Sequence, residues 1–170
     1  MNYYNEIKNE LLEYEVTKKV KEYSVNKKEL EVKYNVGKML IDAQGGESRA
    51  KYGNGLIKEY SEKLYRETGI KYSDTSLKRM RQFYLFIKKG APMEHQLTWS
   101  HYKVLMPIVD TGKILYYINE IKINHLSKRG LEEKIKQNEY ERLPQSTKDK
   151  LLKEDNRYEI TDFIKDPIII

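Results

Sequence analysis

Three histidines, His95, His101 and His125, are the obvious candidates for acid–base or metal chemistry in this chain. Their spacing matches no common metal-ligand pattern. His101 follows Trp99 closely and reads as a packing or capping residue. There is no cysteine, which excludes thiolate catalysis, cysteine-based zinc sites and a disulfide framework. The phosphate-binding GxxxxGK[ST], the zinc-binding HExxH and the nucleophile GxSxG are all missing from the sequence. Tyr52-Gly53-Asn54-Gly55 is glycine-rich, but two glycines before a helix read better as a tight turn than as a phosphate cradle. Glu-x-Lys, a spacing used by metal-dependent nucleases on a strand, occurs at Glu6/Lys8, Glu31/Lys33 and Glu120/Lys122. All three fall in helical patterns without an upstream Pro-Asp, so they read as exposed helix charges. The expectation is no catalytic residue, no metal and no cofactor.

The other chemistry on offer is cationic. The net charge is +6. Residues 71–103 hold Lys71, Lys78, Arg79, Arg81, Lys88, Lys89 and Lys103 against Asp74 and Glu94. Seven positive against two negative leaves a net +5 in one fifth of the chain. Such localisation is the electrostatic footprint of nucleic-acid binding, and its bland counterpart is a solvated basic face.

These residues sit in a helical pattern. At 170 residues the chain is the size of one domain or two small ones. Gly and Pro are few, and apolar residues recur at helical spacing almost throughout. Ile7, Leu11, Tyr14, Val16, Val20 and Tyr23 mark a long first helix. Asn26, with Glu29 and the Val25/Leu30 pair, predicts the cap and staple of a second. That second helix runs to about Asp42 and buries Tyr34, Met39 and Ile41, and Gln44-Gly45-Gly46-Glu47 breaks it. A third spans 55–67 with Leu56, Tyr60 and Leu64 on one face, ended by Gly69. Ser73 or Asp74 caps a fourth, which Lys89-Gly90 ends. Its core face is Leu77, Met80, Phe83, Tyr84 and Ile87, leaving Leu85 and Phe86 to meet the fifth helix or a partner. Thr98, Asp110 or Thr111, and Ser127 start three more. Ile114, Ile118 and Ile121 are spaced for burial, and Pro144 closes the seventh. A last helix runs from Ser146 to about Lys153, and only the final ten residues hint at a strand. The longest apolar run, Phe83–Ile87, is too short for a membrane span. The polar, acidic opening Met1–Tyr14 is no signal peptide, so a cytoplasmic protein is expected.

Several blocks resemble a known family. They are Tyr34-Asn35-Val36-Gly37-Lys38, Ala50-Lys51-Tyr52-Gly53-Asn54-Gly55-Leu56-Ile57, Leu77-Lys78-Arg79-Met80-Arg81-Gln82-Phe83-Tyr84 and Leu97-Thr98-Trp99-Ser100-His101-Tyr102. Leu126-Ser127-Lys128-Arg129-Gly130-Leu131-Glu132 and Tyr140-Glu141-Arg142-Leu143 continue the series. Together they resemble the N-terminal domain of the YhcG-type nuclease family over roughly residues 5–143. The resemblance implies a helical, helix-turn-helix or winged-helix type DNA-binding module that precedes a PD-(D/E)XK nuclease. The second half also resembles, more weakly, the helices after the helix-turn-helix of ParB partition proteins. Three departures stand out. Asn35 replaces a usual Trp, and Gly130 replaces a usual Glu. The chain also ends at Asp166-Pro167-Ile168-Ile169-Ile170, where relatives enter the nuclease.

The expected fold is therefore all-α with a central helix-turn-helix (winged-helix or ParB-like) unit. Its expected organisation is an N-terminal helical pair (1–48), a helix-turn-helix core (49–143) and a C-terminal helix and tail (144–170), the remnant of a linker. The expected function is non-catalytic binding of duplex DNA by a stand-alone module. The fourth helix would carry it. Ser73, Thr75 and Ser76 lie at its N-terminus. Lys78, Arg79 and Gln82 are the base or phosphate contacts, and Arg81, Lys88, Lys89 and Lys103 neutralise phosphates. The alternative is a protein-interaction module, encoded by a mobile element, that binds or inhibits a nuclease or defence complex. Fifteen tyrosines suit such a surface. Self-association as a homo-oligomer is compatible with either.

Overall fold

The structure is a computed structural model and describes residues 3–50 and 54–153. Among the described residues every regular element is a helix. In chain order these are α1 (Tyr3–Ala43), α2 (Glu47–Ala50), α3 (Asn54–Thr68), α4 (Asp74–Lys88), α5 (Trp99–Leu105), α6 (Thr111–Asn124), α7 (Lys128–Lys136) and α8 (Gln145–Lys153). The strand hint in the last ten residues and the Asp166-Pro167 junction lie outside the described residues. So do Tyr52 and Gly53 of the glycine-rich turn. No described helix is long and apolar enough to cross a membrane.

Local sequence explains most boundaries. Ser73, Thr98, Asp110 and Ser127 are extended N-cap residues, each accepting a hydrogen bond from the backbone N–H three residues on. Gly69 (φ +73°) and Gly90 (φ +117°) adopt the left-handed backbone that ends α3 and follows α4. One boundary departs from the pattern. Asn26 caps nothing, and α1 runs unbroken through it for 41 residues. Its side-chain Nδ2 instead donates to the carbonyls of His95 (3.0 Å) and Leu97 (2.7 Å). No Gly or Pro precedes Gly37, so nothing in the backbone forces a stop there. A second departure is α7, which ends at Lys136, well before Pro144. Asn138, in the left-handed region (φ 54°), turns the chain there.

α4 organises the core. Leu77 and Met80 join Leu40 of α1 and Ile57 of α3 in one buried cluster. Phe83 and Phe86 face the other way, into the larger cluster built on Tyr102, Leu105, Tyr117, Ile118 and Leu131. Leu30 of α1 and Leu151 of α8 belong to that same cluster. Phe83 meets Trp99 edge-on at 5.2 Å and Tyr102 at 4.9 Å, measured between ring centroids. Phe86 reaches Tyr102 at 6.4 Å, which accounts for its place outside the expected core face. Burying such a ring contributes roughly 2–3 kcal/mol, before edge-to-face gains of about 1 kcal/mol. Ile114, Ile118 and Ile121 are buried as their spacing predicts. Met39 is not: it is 62% exposed, while Ile41 is buried and Tyr34 half-buried. On α3 the fully buried residue is Ile57, with Leu56 and Leu64 half-buried beside it and Tyr60 exposed.

α1 and α4 cross at Gly37. A β-carbon there would stand 2.1 Å from the carbonyl oxygen of Met80 and 2.9 Å from Cβ of Tyr84. Only glycine allows this approach.

Candidate nucleic-acid interface

α3 and α4 are joined by the short connection 69–73 and pack through Ile57 and Leu64 on Leu77 and Met80. Ser61 Oγ donates to the carbonyl of Tyr72, which fixes the turn. Ser73 Oγ accepts from the N–H of Ser76 (3.1 Å) and donates to Ser76 Oγ (3.0 Å). Two of the three hydroxyls expected to meet phosphate thus hold each other at the start of α4, while Thr75 stands exposed next to them.

Burial of Leu77, Met80, Phe83, Tyr84 and Phe86 leaves one open strip along α4. At 100° per residue it contains Thr75, Lys78, Gln82, Leu85 and Lys89, with Arg79 at its edge. Thr75, Arg79, Gln82 and Lys89 are exposed, and Lys78 and Leu85 are half-buried. Lys78 pairs with Asp74 one turn earlier at 3.7 Å, both side chains partly open to solvent. Such a pair is weak and easily exchanged for another anion. Arg79 and Lys89 have no side-chain partner among the described residues.

Arg81 and Lys88 are directed elsewhere. The Arg81 guanidinium donates to Gln44 Oε1 (2.8 Å) at the end of α1, and partial burial pushes its pKa down. Lys88 pairs with Glu47 of α2 and lies over the Tyr84 ring. The hydrogen bond to Glu47 holds its ammonium above the ordinary value. Lys103 is half-exposed on α5, without an ion-pair partner among the described residues. The fold therefore brings Thr75, Lys78, Arg79, Gln82 and Lys89 together. It assigns Arg81 and Lys88 to the α1–α2 junction and leaves Lys103 on a separate element. At the far end of the strip, Gln82 and Lys89 border a groove of about 360 Å³ floored by Phe86, Met106 and Ile114. Val109, at its rim, is 92% exposed. Nothing in the spacing of the apolar residues announces that groove, because it forms only where the 107–110 turn passes α4.

Among the described residues no cluster of three or more His, Asp or Glu could hold a metal ion. The Glu-x-Lys pairs are scattered over α1 and α6, and the lysines of two of them pair with other glutamates. Lys33 pairs with Glu29, and Lys122 with Glu94 at 3.1 Å.

With the helices placed, residues 7–142 match the model of one protein family. The chain belongs to the DUF1016 N-terminal domain family. This is the N-terminal region of the YhcG-type family that the sequence blocks resemble. No curated protein and no solved structure matches the chain.

Seen in three dimensions, the blocks that mark this DUF1016 N-terminal domain form mainly a packing junction. Gly37 and Met80 make the α1–α4 crossing, and Phe83, Trp99 and Tyr102 form the aromatic cluster. Leu97 is fully buried. His101 is buried, and both of its ring nitrogens are engaged. Its Nδ1 accepts from the backbone N–H of Thr98 (2.9 Å), completing a capping box for α5. Its Nε2 lies 2.7 Å from the Leu126 carbonyl, so the neutral ring carries its proton on Nε2. Desolvation lowers its pKa, opposed in part by that carbonyl. Tyr102 is completely buried and its hydroxyl donates to the Pro92 carbonyl (2.9 Å) and accepts from the Glu94 N–H (2.6 Å). Burial pushes that phenol far up. His101 is thus a structural hinge-pin between the 92–98 loop and the start of α7.

Proposed function

We propose that this DUF1016 N-terminal domain is a non-catalytic, cytoplasmic DNA-binding module that lays the open strip of α4 along the major groove. One observation carries the reading. Arg79 and Lys89 stand on or beside the strip without compensating carboxylates, and the strip starts at a helix N-terminus, where backbone N–H groups favour phosphate. In this arrangement α3 supports and α4 enters, as in a helix-turn-helix. Lys78, Arg79 and Gln82 would face base edges or phosphates, and Lys89 a phosphate further along. Lys103 would contribute only to the general positive potential.

Titration with a mixed-sequence duplex at two salt concentrations tests this, beside the triple variant Lys78→Ala, Arg79→Ala, Gln82→Ala. Each phosphate contact contributes about −0.9 to the slope of log K against log salt, so the variant's slope should flatten by about one to two units. Binding that ignores salt, or a variant that binds as well as the parent, overturns the proposal.

A second reading draws on the groove beside Gln82 and Lys89. Its apolar floor and the exposed Val109 suit an aliphatic side chain of a protein partner. A nuclease or a defence-complex subunit is the partner this reading expects. Loss of that partner's co-purification on Val109→Asp, with DNA binding unchanged, would favour this reading over the first.

A further inference from the structure

The N-terminal half of α1 projects from the domain as an exposed arm. Every residue from Tyr3 to Val25 is exposed. At 1.5 Å per residue that is about 35 Å of helix. Ile7, Leu11, Tyr14, Val16, Val20, Tyr23 and Val25 are each more than half exposed. A lone helix with that much apolar surface draws its stability from something it packs on.

We propose that the occupant is the arm of a second copy, packed antiparallel about a two-fold axis at the level of Val16, on the face between Tyr14 and Lys18. Three observations select it. The first is charge. Residues 3–15 hold four glutamates against Lys8, a net −3, and residues 16–29 hold five lysines against Glu22 and Glu29, a net +3. Antiparallel overlap sets each acidic half on a basic half, whereas parallel overlap sets like on like. The second is spacing. Ile7, Leu11, Tyr14, Lys18, Lys21 and Val25 follow one another at alternating steps of four and three, the seam of a two-stranded coil. Turned about Val16, Ile7 meets Val25 of the copy, Leu11 packs on the stem of Lys21, and the Tyr14 ring meets Lys18. The third is access. Beyond Val25 the same stripe continues into an open apolar groove of about 630 Å³ lined by Val32, Val36, Leu64 and Met80. A copy's tip thus meets no obstacle there. The opposite stripe, with Leu12, Val16 and Tyr23, runs into Asn26 held by the 95–97 loop and into buried Leu30.

The pairing is independent of DNA and is tested without it. The full chain at about 100 μM should sediment as a dimer, and Ile7→Asp with Leu11→Asp should weaken self-association at least tenfold. Both positions are more than half exposed and belong to none of the buried clusters, so the domain core should still fold and melt cooperatively. A charge exchange removes the remaining ambiguity. A variant with Glu6, Glu10 and Glu13 changed to Lys, and one with Lys18, Lys21 and Lys28 changed to Glu, should each be monomeric alone and dimeric when mixed. Because the chain has no cysteine, single substitutions report direction cleanly. A short bismaleimide should join Ile7→Cys to Val25→Cys and neither to itself. A monomeric parent chain, or an Ile7→Cys variant that links to itself as readily as to Val25→Cys, overturns the proposal.

Discussion

Adding one methyl group at Gly37 should destabilise this domain more than most single changes. The β-carbon of Gly37→Ala would meet the Met80 carbonyl oxygen at 2.1 Å, its carbon at 2.7 Å and Tyr84 Cβ at 2.9 Å. An ordinary carbon–oxygen approach is about 3.3 Å or more, so α1 and α4 must separate by roughly 1 Å. The Met80 atoms are backbone, which no rotamer change can move aside. Separation loosens Leu40 against Leu77 and Met80, and the Tyr34–Tyr84 edge contact at 5.1 Å. Overpacking of this kind costs about 1–3 kcal/mol and occasionally more. Against it stands the helix preference for alanine over glycine, about 1 kcal/mol. With a backbone atom as the obstacle, a net loss of about 2 kcal/mol is expected. For a domain of this size that lowers Tm by about 4–8 °C. Gly55→Ala is the internal control, since nothing lies within 4 Å of its added β-carbon and it too sits in a helix. Urea melts followed by circular dichroism give both free energies. If Gly37→Ala matches Gly55→Ala or exceeds the parent in stability, the close crossing does not exist as described.

Two further outcomes follow from the caps. His101 has its pKa lowered in the fold, so the unfolded chain binds more protons between that lowered value and about 6.5. Stability should therefore fall as pH drops below about 6.5, and the dependence should flatten in His101→Gln; equal slopes in melts from pH 7 to 5 would refute it. Gly130→Glu should add a capping-box carboxylate to the Ser127–Gly130 N–H bond (3.1 Å) and remove a helical glycine. Its β-carbon meets Leu126 Cδ2 and Ser127 Oγ at 3.5 Å, ordinary contacts, so a gain of about 1 kcal/mol is expected, read as a Tm rise of about 2–4 °C.

The helical order was legible because punctuation is local. Ser73, Thr98, Asp110 and Ser127 cap, and Gly69 and Gly90 stop, through bonds within a few residues of themselves. Asn26 has the type and spacing of a cap, but its partners are the His95 and Leu97 carbonyls some seventy residues away. No local rule contains that competition. The basic strip was legible for the same reason of period, since a helical wheel needs only α4's own sequence. The loss of Arg81 and Lys88 from it was not, because Gln44 and Glu47 sit beyond the end of another helix.

The apolar pattern of α1 carries the deeper lesson about period and burial. Its stripes are continuous from Ile7 to Ile41, yet only the second half meets the domain: Leu30, Gly37, Leu40 and Ile41 are buried, and nothing before Asn26 is. Periodicity states that a face wants a neighbour without saying whether the neighbour lies in the same chain. Residues 5–25 pack on no other described element and are exposed throughout, and the sign change of charge along the arm is what points to a second copy. Such a pairing would also set two α4 strips at a fixed separation, the geometry by which dimeric helix-turn-helix proteins read paired half-sites. DNA binding by a monomeric arm variant should then be weaker than by the parent while keeping the same dependence on Lys78, Arg79 and Gln82 within each half. That division lets a failure of the arm be told apart from a failure of α4.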